Sequence, residues 1–471
     1  MFCDGYRNLG FRVTRNITGT DVLVYDDSKG VRGSFLAMVT MDETGTTSSQ
    51  TTPQVVPISW HDEPNTTSTV TYKLWLGASI SSNFTAHLNR AGASLGDYIE
   101  AGVSTAAAFA PSIGWLGNRN LITNGAMQVN QRGNQTSVSS ATYTLDRWKL
   151  VVTSCGAYSV SQLAGSDELI NVGLRNSLKV DCTTADASPA SGDLVMLQQP
   201  MEGLVTNPLC WGQSSGKKAV LSFWAKADIN GWSSGTKDFV VEIQASDSQE
   251  WSTVCQLATA GTWQKFELPI DAKTSSAIAY DNTESMGINW WLDAGSNYKG
   301  GSAVSGWSAK ANSGGVRAAQ QTLAIAAHTD NNFYLTGVQL ELGEKATPFE
   351  HLSYGDTLRK CQRYYEQFNS NGLTEAMFAS GYFESDTQGR HCLLYTRKRA
   401  TPTITSSDAS TFTNLNTNNI PAGSSMEVRK PTETAAEFRL NTSTITDANG
   451  RGCILISVSS TEATIKVSAE L

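Results

Sequence analysis

Tryptophan offers the clearest chemistry in this sequence, because the flat C–H faces of sugars stack on aromatic rings. Twelve tryptophans are present. Trp232 lies in a Gly/Ser-rich stretch, INGWSSGTK, where a core role is hard to argue. Trp290 and Trp291 are consecutive, so on a strand we expect one to be buried and the other to lie on the outer face. The candidate glycan contacts are therefore Trp232 and one of Trp290 and Trp291.

The five histidines provide few catalytic bases. His61 and His87, with a carboxylate, could ligate a metal, but a turn histidine and a sheet-surface histidine explain them more simply. His391 adjoins Cys392, and because neighbours on a strand point to opposite faces we do not expect the two to act as a pair. No histidine is therefore assigned a catalytic or metal-binding role.

Paired carboxylates are the remaining enzymatic option, since glycosidases hold two of them roughly 5 to 10 Å apart. Asp281, Glu284 and Asp293 are candidates, but the sequence does not give their separation. The run from Asp281 to Glu284 is also a weak calcium-loop pattern. We expect no catalytic residue, no metal site and no cofactor, and we classify the chain as a non-enzyme.

Motifs of common enzymes and metal sites are missing from the sequence. It has no GxSxG elbow, HExxH, Walker loop or Rossmann fingerprint. The eight cysteines include no CxxC, which argues against zinc and redox motifs. We expect most of the cysteines to be free, buried and small apolar in character.

Composition indicates a β-rich protein with more than one domain. Its 471 residues are too many for one core, and only 17% are charged, with Ser, Thr, Asn and Gly in their place. The net charge of -8 argues against a nucleic-acid partner, and the basic clusters at 217–218 and 397–399 are expected to be solvated. No run approaches eighteen apolar residues, so we expect no membrane insertion.

The stretch from Asn332 to Phe368 organises the elements around it. Alternation predicts a strand whose apolar residues share one buried face if a bulge falls near Gly337. A helix is predicted to open at Tyr354 and to carry one apolar stripe. The expected strand face is Phe333, Leu335, Val338, Leu340 and Leu342, and the expected helix stripe is Leu358, Cys361, Tyr365 and Phe368.

The segment GVQLELGEKATPFEHLSYGDTLRKCQRYYE closely resembles one found in many bacteriophage tail-fibre and virion structural proteins, where it closes a β-sandwich of carbohydrate-binding-module type. NRNLITNGAMQVNQRGN, YTLDRWKLV, MLQQPMEG, KKAVLSFWAKAD and GTWQKFELPI resemble further words of that family. Trp148, Trp224 and Trp263 fall within these words, so we expect them in the core or between layers. WHDEPNTTSTVTYKLWL followed by FTAHLNR resembles a jelly-roll module of virion appendages.

The resemblance implies a mainly β chain of tandem antiparallel β-sandwich and jelly-roll modules with one short connecting helix. We divide it into a jelly-roll-like module near the virion (1–115), a carbohydrate-binding-module-like sandwich (116–352), and the helix followed by a C-terminal β-domain (353–471). In the last of these, Asn449-Gly450 is a hairpin signal.

By resemblance the chain is a virion fibre or spike protein that mediates host attachment by binding surface glycans. The partners implied are other virion proteins, a host glycan, and two further copies of the chain in a homotrimer that meets at the helix stripe. The first residues, MFCDGYRNLGF, lack a secretory signal, so we expect synthesis in the host cytoplasm and location on the virion. The alternatives are a capsid- or tail-decorating protein without receptor binding, and a glycan-degrading tailspike. Because no period of 20 to 50 residues repeats, a β-helix tailspike is disfavoured.

Overall fold

The chain forms two compact units, residues 1–110 and 111–471. A computed structural model describes residues 7–17, 20–23, 37–41, 71–78, 119–165, 169–302, 306–309, 317–415, 421–445, 447–458 and 461–471. His61, His87 and the strand predicted at 84–90 lie outside these residues. The division into 1–115, 116–352 and 353–471 stays a prediction.

The first unit contains an antiparallel sheet centred on one long strand. Its strands are β1 (Arg7–Ile17), β2 (Thr20–Leu23), β3 (Ala37–Met41) and β4 (Thr71–Ala78). β1 pairs with each of the other three. The TVTYKLWL run, whose period-two alternation predicts a strand, forms most of β4.

The second unit begins with a β-sandwich of two antiparallel sheets. Its strands are β5 (Gln135–Val138), β6 (Thr142–Tyr143), β7 (Lys149–Thr153), β8 (Ala157–Leu163), β9 (Ser177–Thr184), β10 (Leu194–Glu202), β11 (Ala219–Asp228), β12 (Lys237–Ala245), β13 (Gln249–Leu257), β14 (Gln264–Ile270), β15 (Glu284–Ala294), β16 (Ser308–Ala309) and β17 (Asn332–Leu342). A single helical turn, α1 (Gly203–Thr206), follows β10.

One sheet of the sandwich has seven strands in the order β16-β13-β12-β15-β10-β7-β6, and the other has six in the order β14-β11-β17-β9-β8-β5. Their inner faces meet in one apolar core that includes Trp148, Phe223, Phe239 and Trp290. The mainly β fold class with tandem sandwich modules is confirmed.

Strand β17 has the bulge that the sequence predicts. Gly337 has φ +61°, and the pairing of β11 with β17 shifts register between Ser222 and Trp224. The bulge keeps the apolar residues before and after it on one face. Phe333, Leu335, Val338 and Leu340 are fully buried in the core, and Leu342 packs against it.

The family-like sequence segments at the start and the end of the sandwich contact each other. Asn120 donates from Nδ2 to the carbonyl of Val338 (3.1 Å), and its Oδ1 accepts from the amide of Leu340 (3.1 Å). The carboxylate of Glu350 accepts from the amide of Asn120 at 2.8 Å. Glu341 accepts from the amide of Thr347 at 2.8 Å. These words therefore close the sandwich.

The connecting helix is shorter than the predicted stripe requires. Helix α2 (Tyr354–Gln362) starts at Ser353, whose Oγ accepts from the amide of Asp356. The carbonyls of residues 362, 363 and 364 accept from Lys398 Nζ (2.6 Å), the Arg399 amide (3.0 Å) and the Ala469 amide (2.7 Å), respectively. Tertiary donors thus replace the next helical turn, and the extension of the helix to Phe368 is wrong.

Residues Tyr365 and Phe368 instead belong to a strand of the C-terminal module. Its strands are β18 (Tyr365–Asn369), β19 (Met377–Ser385), β20 (Gln388–Leu394), β21 (Thr403–Ser406), β22 (Phe412–Leu415), β23 (Ser425–Arg429), β24 (Ala435–Asn441), β25 (Gly452–Ser457) and β26 (Thr464–Ser468). They form a three-stranded sheet, β18-β26-β21, and a six-stranded sheet, β22-β25-β19-β20-β24-β23. Both are antiparallel.

The Asn449-Gly450 signal marks a turn but not a hairpin. The amide of Arg451 donates to the carbonyl of Ala448 at 3.0 Å, and Gly450 has φ +79°. The flanking strands β24 and β25 are separated in the sheet by β20 and β19. The hairpin interpretation is wrong because long-range pairing determines the neighbours of both strands.

The basic cluster at 397–399 is only partly solvated. The Lys398 ammonium is fully buried, where it donates to Glu366 at 2.7 Å. Burial lowers the pKa of Lys398, and the bond to Glu366 opposes that shift. The expectation of a solvated cluster is therefore wrong for Lys398, whereas Arg397 is largely exposed.

The seven described cysteines are free, and five of them are buried, as the spacing predicts. Among the described residues, no helix has the length and apolar character to cross a membrane.

Candidate functional site

The Trp290–Trp291 pair spans strand β15 of the seven-stranded sheet. The two side chains lie on opposite faces as predicted: Trp290 is in the main core, and Trp291 is in a separate cluster with Met196 and Val240. Both are 0% exposed. The expectation that one of them has an accessible outer face is wrong, because other side chains cover that face as well.

Trp232 is half-buried in the loop between β11 and β12. Its Nε1 donates to the carbonyl of Gly235 at 3.0 Å, and its ring packs against the core. It is the one residue of the three predicted contacts that keeps an accessible surface. Glycan contact by Trp232, Trp290 or Trp291 stays a prediction, and burial weighs against the last two.

Two tryptophans that were expected in the core lie on the outer face of the six-stranded sheet. In β11, Phe223 and Ala225 point into the core, so Trp224 and Lys226 point outward. Trp263 immediately precedes β14 and lies beside Lys226, because the adjacent residues Gln264 and Ala225 are register partners. Both Trp224 and Trp263 are half-buried. The core assignment is confirmed for Trp148 and wrong for these two.

Trp263, Tyr334 and Lys226 form a compact group on this sheet. Lys226 of β11 and Tyr334 of β17 are register partners. The Lys226 Nζ lies 5.3 Å from the ring centroid of Trp263 and 4.7 Å from that of Tyr334. The two rings are 6.3 Å apart and inclined at 66°. The ammonium over two π faces fixes the rings in place. We call Trp224, Lys226, Trp263 and Tyr334 the aromatic face.

Polar side chains border the aromatic face on neighbouring strands. Lys179, the register partner of Tyr334 on β9, contacts Asp181 at 3.1 Å. Lys265 on β14 is the register partner of Trp224 and contacts Glu267 at 2.5 Å. The first ion pair is partly exposed and the second is exposed, so both provide donors and acceptors beside the rings. Within the aromatic face, Trp224, Lys226 and Trp263 are half-buried, and Tyr334 is buried.

The outer face of the seven-stranded sheet has a different construction. Its centre is the carboxylate of Glu242, which accepts from Asn289 Nδ2 (2.9 Å) and Trp291 Nε1 (2.8 Å). Arg317 donates to it from Nε (2.6 Å) and Nη2 (3.0 Å). Gln198 in turn donates to Asn289 at 2.9 Å. We call Gln198, Glu242, Asn289, Trp291 and Arg317 the polar face.

The polar face is closed to solvent at its centre. Glu242 and Asn289 are 0% exposed, and the Arg317 side chain is 9% exposed. The Arg317 guanidinium also lies 4.9 Å from the ring centroid of Trp291. A carboxylate surrounded by four donors has its hydrogen-bonding capacity filled by the protein itself. This arrangement anchors residue 317 to the sheet and leaves little for a ligand.

Two of the three carboxylates considered for catalysis, Asp281 and Asp293, have structural partners. Asp293 is buried, and its Oδ1 accepts from Lys299 Nζ (3.0 Å) and the amide of Ala294 (2.8 Å). Asp281 accepts from the hydroxyl (2.5 Å) and the amide (2.9 Å) of Thr283 in a turn, and these two bonds lower the pKa of Asp281. Within the described ranges, no group of three or more His, Cys, Asp and Glu side chains could hold a metal ion.

His391 is buried and Cys392 is exposed, so the prediction that they face opposite ways is confirmed. His391 Nε2 instead contacts Asn414 Oδ1 at 2.7 Å and lies 3.9 Å from Cys453 Sγ. Asn414 and Cys453 are buried as well, so the cluster of His391, Asn414 and Cys453 lies inside the C-terminal module. The cluster contributes to packing and offers no accessible nucleophile.

The sequence contains a signal for the aromatic face, which we missed because the resemblance to family segments led us to expect Trp224 and Trp263 in the core. Strand β11 reads AVLSFWAKAD, in which Trp224 and Lys226 are two residues apart and therefore lie on the same side of the strand. A lysine two residues after a tryptophan indicates that this side of the strand reaches solvent. The partners are Trp263, just before β14, and Tyr334 of β17, so their proximity follows from sheet order alone.

No protein-family model and no curated protein matches this chain. Among solved structures, it is similar to the CBM22-1–GH10 modules of Clostridium thermocellum endo-1,4-β-D-xylanase 10B complexed with xylohexaose. The identity is 11%, with 48% of this chain and 28% of that chain covered and a TM-score of 0.25.

It is also similar to the CBM22-1 xylan-binding domain of Paenibacillus barcinonensis Xyn10C (12% identity, 48% and 96% covered, TM-score 0.22). A third structure is TmCBM61 in complex with β-1,4-galactotriose (10% identity, 48% and 99% covered, TM-score 0.22). At these identities and scores, the likeness carries no argument about what this chain binds.

Proposed function

We propose that the central β-sandwich binds carbohydrate through the aromatic face. The observation that carries the proposal is the pair of half-buried tryptophans, Trp224 and Trp263, on the outer side of a sheet. Indole surface left in water is unfavourable, and a protein that keeps it there gains when a ligand covers it. A sugar ring covers it with C–H groups and directs its hydroxyls to the polar border.

The ligand class that fits is a neutral glycan. The border contains two lysines paired with two carboxylates, Lys179 with Asp181 and Lys265 with Glu267, so the border adds no net charge, and the Lys226 ammonium lies against the rings of Trp263 and Tyr334. Hydroxyl groups can donate to the carboxylates and accept from the ammonium groups without a net charge of their own.

Binding of the intact chain to a panel of purified polysaccharides, measured by calorimetry or on an array, tests this proposal. We expect retention of at least one neutral glycan and weaker retention by a Trp263→Ala variant. A chain that binds no glycan, or a variant that binds as well as the wild type, would contradict it.

We propose further that the chain is a bacteriophage fibre or spike protein, located on the virion and acting in host attachment as a homotrimer without catalysis. The resemblance of six sequence words and the low charge content support this role. Saturating amounts of isolated protein should block phage adsorption, and light scattering should give three times the chain mass. Unchanged adsorption at saturation would remove the attachment role.

A decorating protein without receptor binding is the second candidate. It is favoured by the observation that the recognised words at the two ends of the sandwich bond to each other and close it, which is a structural role. Location on purified particles together with failure to bind host envelopes would select it. Release of reducing ends from host polysaccharide would instead select a glycan-degrading tailspike.

A further inference from the structure

Glu202, at the end of β10 of the sandwich, is a fully buried carboxylate whose donors come from residues after the helix. Arg363 donates to it from Nε (2.9 Å) and Nη2 (2.5 Å), and the Tyr364 hydroxyl donates at 2.8 Å. The bond to Glu202 raises the pKa of Arg363. A bidentate arginine pair with an added hydroxyl fixes orientation as well as distance.

In a second contact, the two modules exchange the roles of cation and carboxylate. Here the sandwich supplies the cations Arg132 and Arg147, and the C-terminal module supplies the carboxylate of Glu470. Arg132 Nη2 lies 2.9 Å from Glu470 Oε1, and Arg147 Nη1 contacts the other oxygen. The Arg147 guanidinium, which is 2% exposed, also lies 3.7 Å from the ring centroid of Tyr364.

Arg399 makes the third contact from a loop far from both of the others in sequence. Its Nη1 donates to the carbonyl of Asn282 in the sandwich at 2.8 Å. Its Nε and Nη2 donate to the carbonyls of Ala469 (2.5 Å) and Glu470 (2.8 Å). Asn282 Nδ2 returns a bond to the carbonyl of Arg399 at 2.6 Å. Arg399 therefore holds the Glu470 segment and the sandwich at once.

The three contacts engage three segments of the C-terminal module, residues 363–364, 399 and 469–470. The first and the last of these segments are about a hundred residues apart in sequence. A module attached only at its linker could turn about it, whereas one held at three separate segments cannot turn without breaking ion pairs. Removing one member of a buried pair leaves a charge without compensation and is strongly destabilising. The loss of Glu470 would remove the carboxylate that Arg132 and Arg147 share and would leave Arg132 with Asp146 at 3.9 Å.

We propose that the sandwich surface formed by Arg132, Arg147, Glu202 and Asn282 is a docking surface for the C-terminal module, and that Glu470 couples the two so that they open as one cooperative unit. The surface fits a partner that presents an Arg-Tyr pair and a carboxylate together. The C-terminal module therefore extends the sandwich rigidly. This inference is independent of carbohydrate binding.

Hydrogen exchange of the full chain, followed by mass spectrometry, tests the coupling. Peptides covering β15 report on the sandwich, and peptides covering β25 report on the C-terminal module. In the wild type, we expect the slowest amides of both to exchange at one rate with one dependence on denaturant. In Glu470→Gln, the single rate should split, with the β25 peptides exchanging at least about tenfold faster than the β15 peptides.

Glu462→Gln is the matched control, since Glu462 is an exposed glutamate of the same module. Arg363→Gln is a second variant at a partly exposed position, and it should separate the two rates in the same direction if Glu470→Gln does not fold. Different slow-exchange rates in the wild type would overturn the proposal. So would equal acceleration of both regions by Glu470→Gln, or identical behaviour of Glu470→Gln and Glu462→Gln.

Discussion

The two outer faces of the sandwich contain similar residue types and use them in opposite ways. The polar face buries Trp291 beneath Arg317, and all of its central donors and acceptors are paired within the protein. The aromatic face leaves Trp224 and Trp263 half-buried and keeps its ion pairs at the border. A tryptophan on an outward strand position therefore meets solvent only if no later segment of the chain covers it.

The difference has a physical origin in the segment that follows β15. Arg317 and Tyr298 lie over Trp291, with the Tyr298 ring centroid 5.2 Å from that of Trp291. Once the indole is desolvated, its Nε1 needs a partner, and Glu242 supplies it. On the other sheet, the aromatic face keeps a surface that a ligand can desolvate.

The largest effect is expected at the centre of the polar face. Glu242→Ala leaves the Arg317 guanidinium, Asn289 and the Trp291 Nε1 without their shared acceptor. We expect the free energy of unfolding to fall by about 3–5 kcal/mol, as for other buried pairs that lose one member. Denaturant unfolding followed by tryptophan fluorescence measures it. A loss below about 1 kcal/mol would show that the polar face is not the structural anchor described above.

The second effect concerns the aromatic face and glycan affinity. Trp263→Ala removes the indole but leaves the core residues of β14 in place. We expect Kd for the retained glycan to rise about tenfold, which is about 1.4 kcal/mol. Calorimetry provides the measurement, and Trp232→Ala is the companion variant. Greater loss from Trp232→Ala than from Trp263→Ala would move the binding surface to the β11–β12 loop.

A third prediction concerns the buried side chain of His391, of which only one ring nitrogen has a hydrogen-bond partner among the described residues. His391 Nδ1 has no hydrogen-bond partner among the described residues, and burial lowers the pKa of His391. The unfolded chain takes up a proton below its ordinary pKa of about 6.5, while the folded chain resists it. Stability is therefore complete above that pH and decreases as the pH falls from 7 to 5.

Denaturant unfolding at several pH values, compared with a His391→Gln variant, measures this dependence. The variant should lose the part of the pH dependence that His391 contributes. Identical pH profiles for the two proteins would contradict the assignment.

The smallest effect is expected at the border of the aromatic face. Glu267→Gln removes a charge from an ion pair with Lys265 whose members are 47% and 41% exposed. We expect the free energy of unfolding to change by less than about 0.5 kcal/mol, and less still at high salt. Thermal unfolding at two salt concentrations checks this. A change as large as that of Glu242→Ala would mean that the two faces do not differ in the way proposed.

The sequence by itself determined the fold class, the strand that closes the sandwich and the bulge at Gly337. Alternation over 332–342 requires one buried face, and only a bulge keeps Leu335 and Val338 on the same side. The start of helix α2 was also predictable, because Ser353 and Asp356 cap it within one turn. These features depend on neighbours in the chain.

The tertiary structure alone decided that Tyr365 lies in a strand, that the turn at Asn449 is not a hairpin and that Trp291 is buried. Tyr365 has the spacing of a helical residue, yet its strand pairs with β26, a hundred residues later. The turn at Asn449 joins strands that other strands separate. Trp291 and Trp224 have equivalent outward positions on their strands, and the packing of Tyr298 and Arg317 over Trp291 distinguishes them. Alternation assigns a side chain to a face, but coverage of that face by a distant segment decides whether the side chain meets solvent.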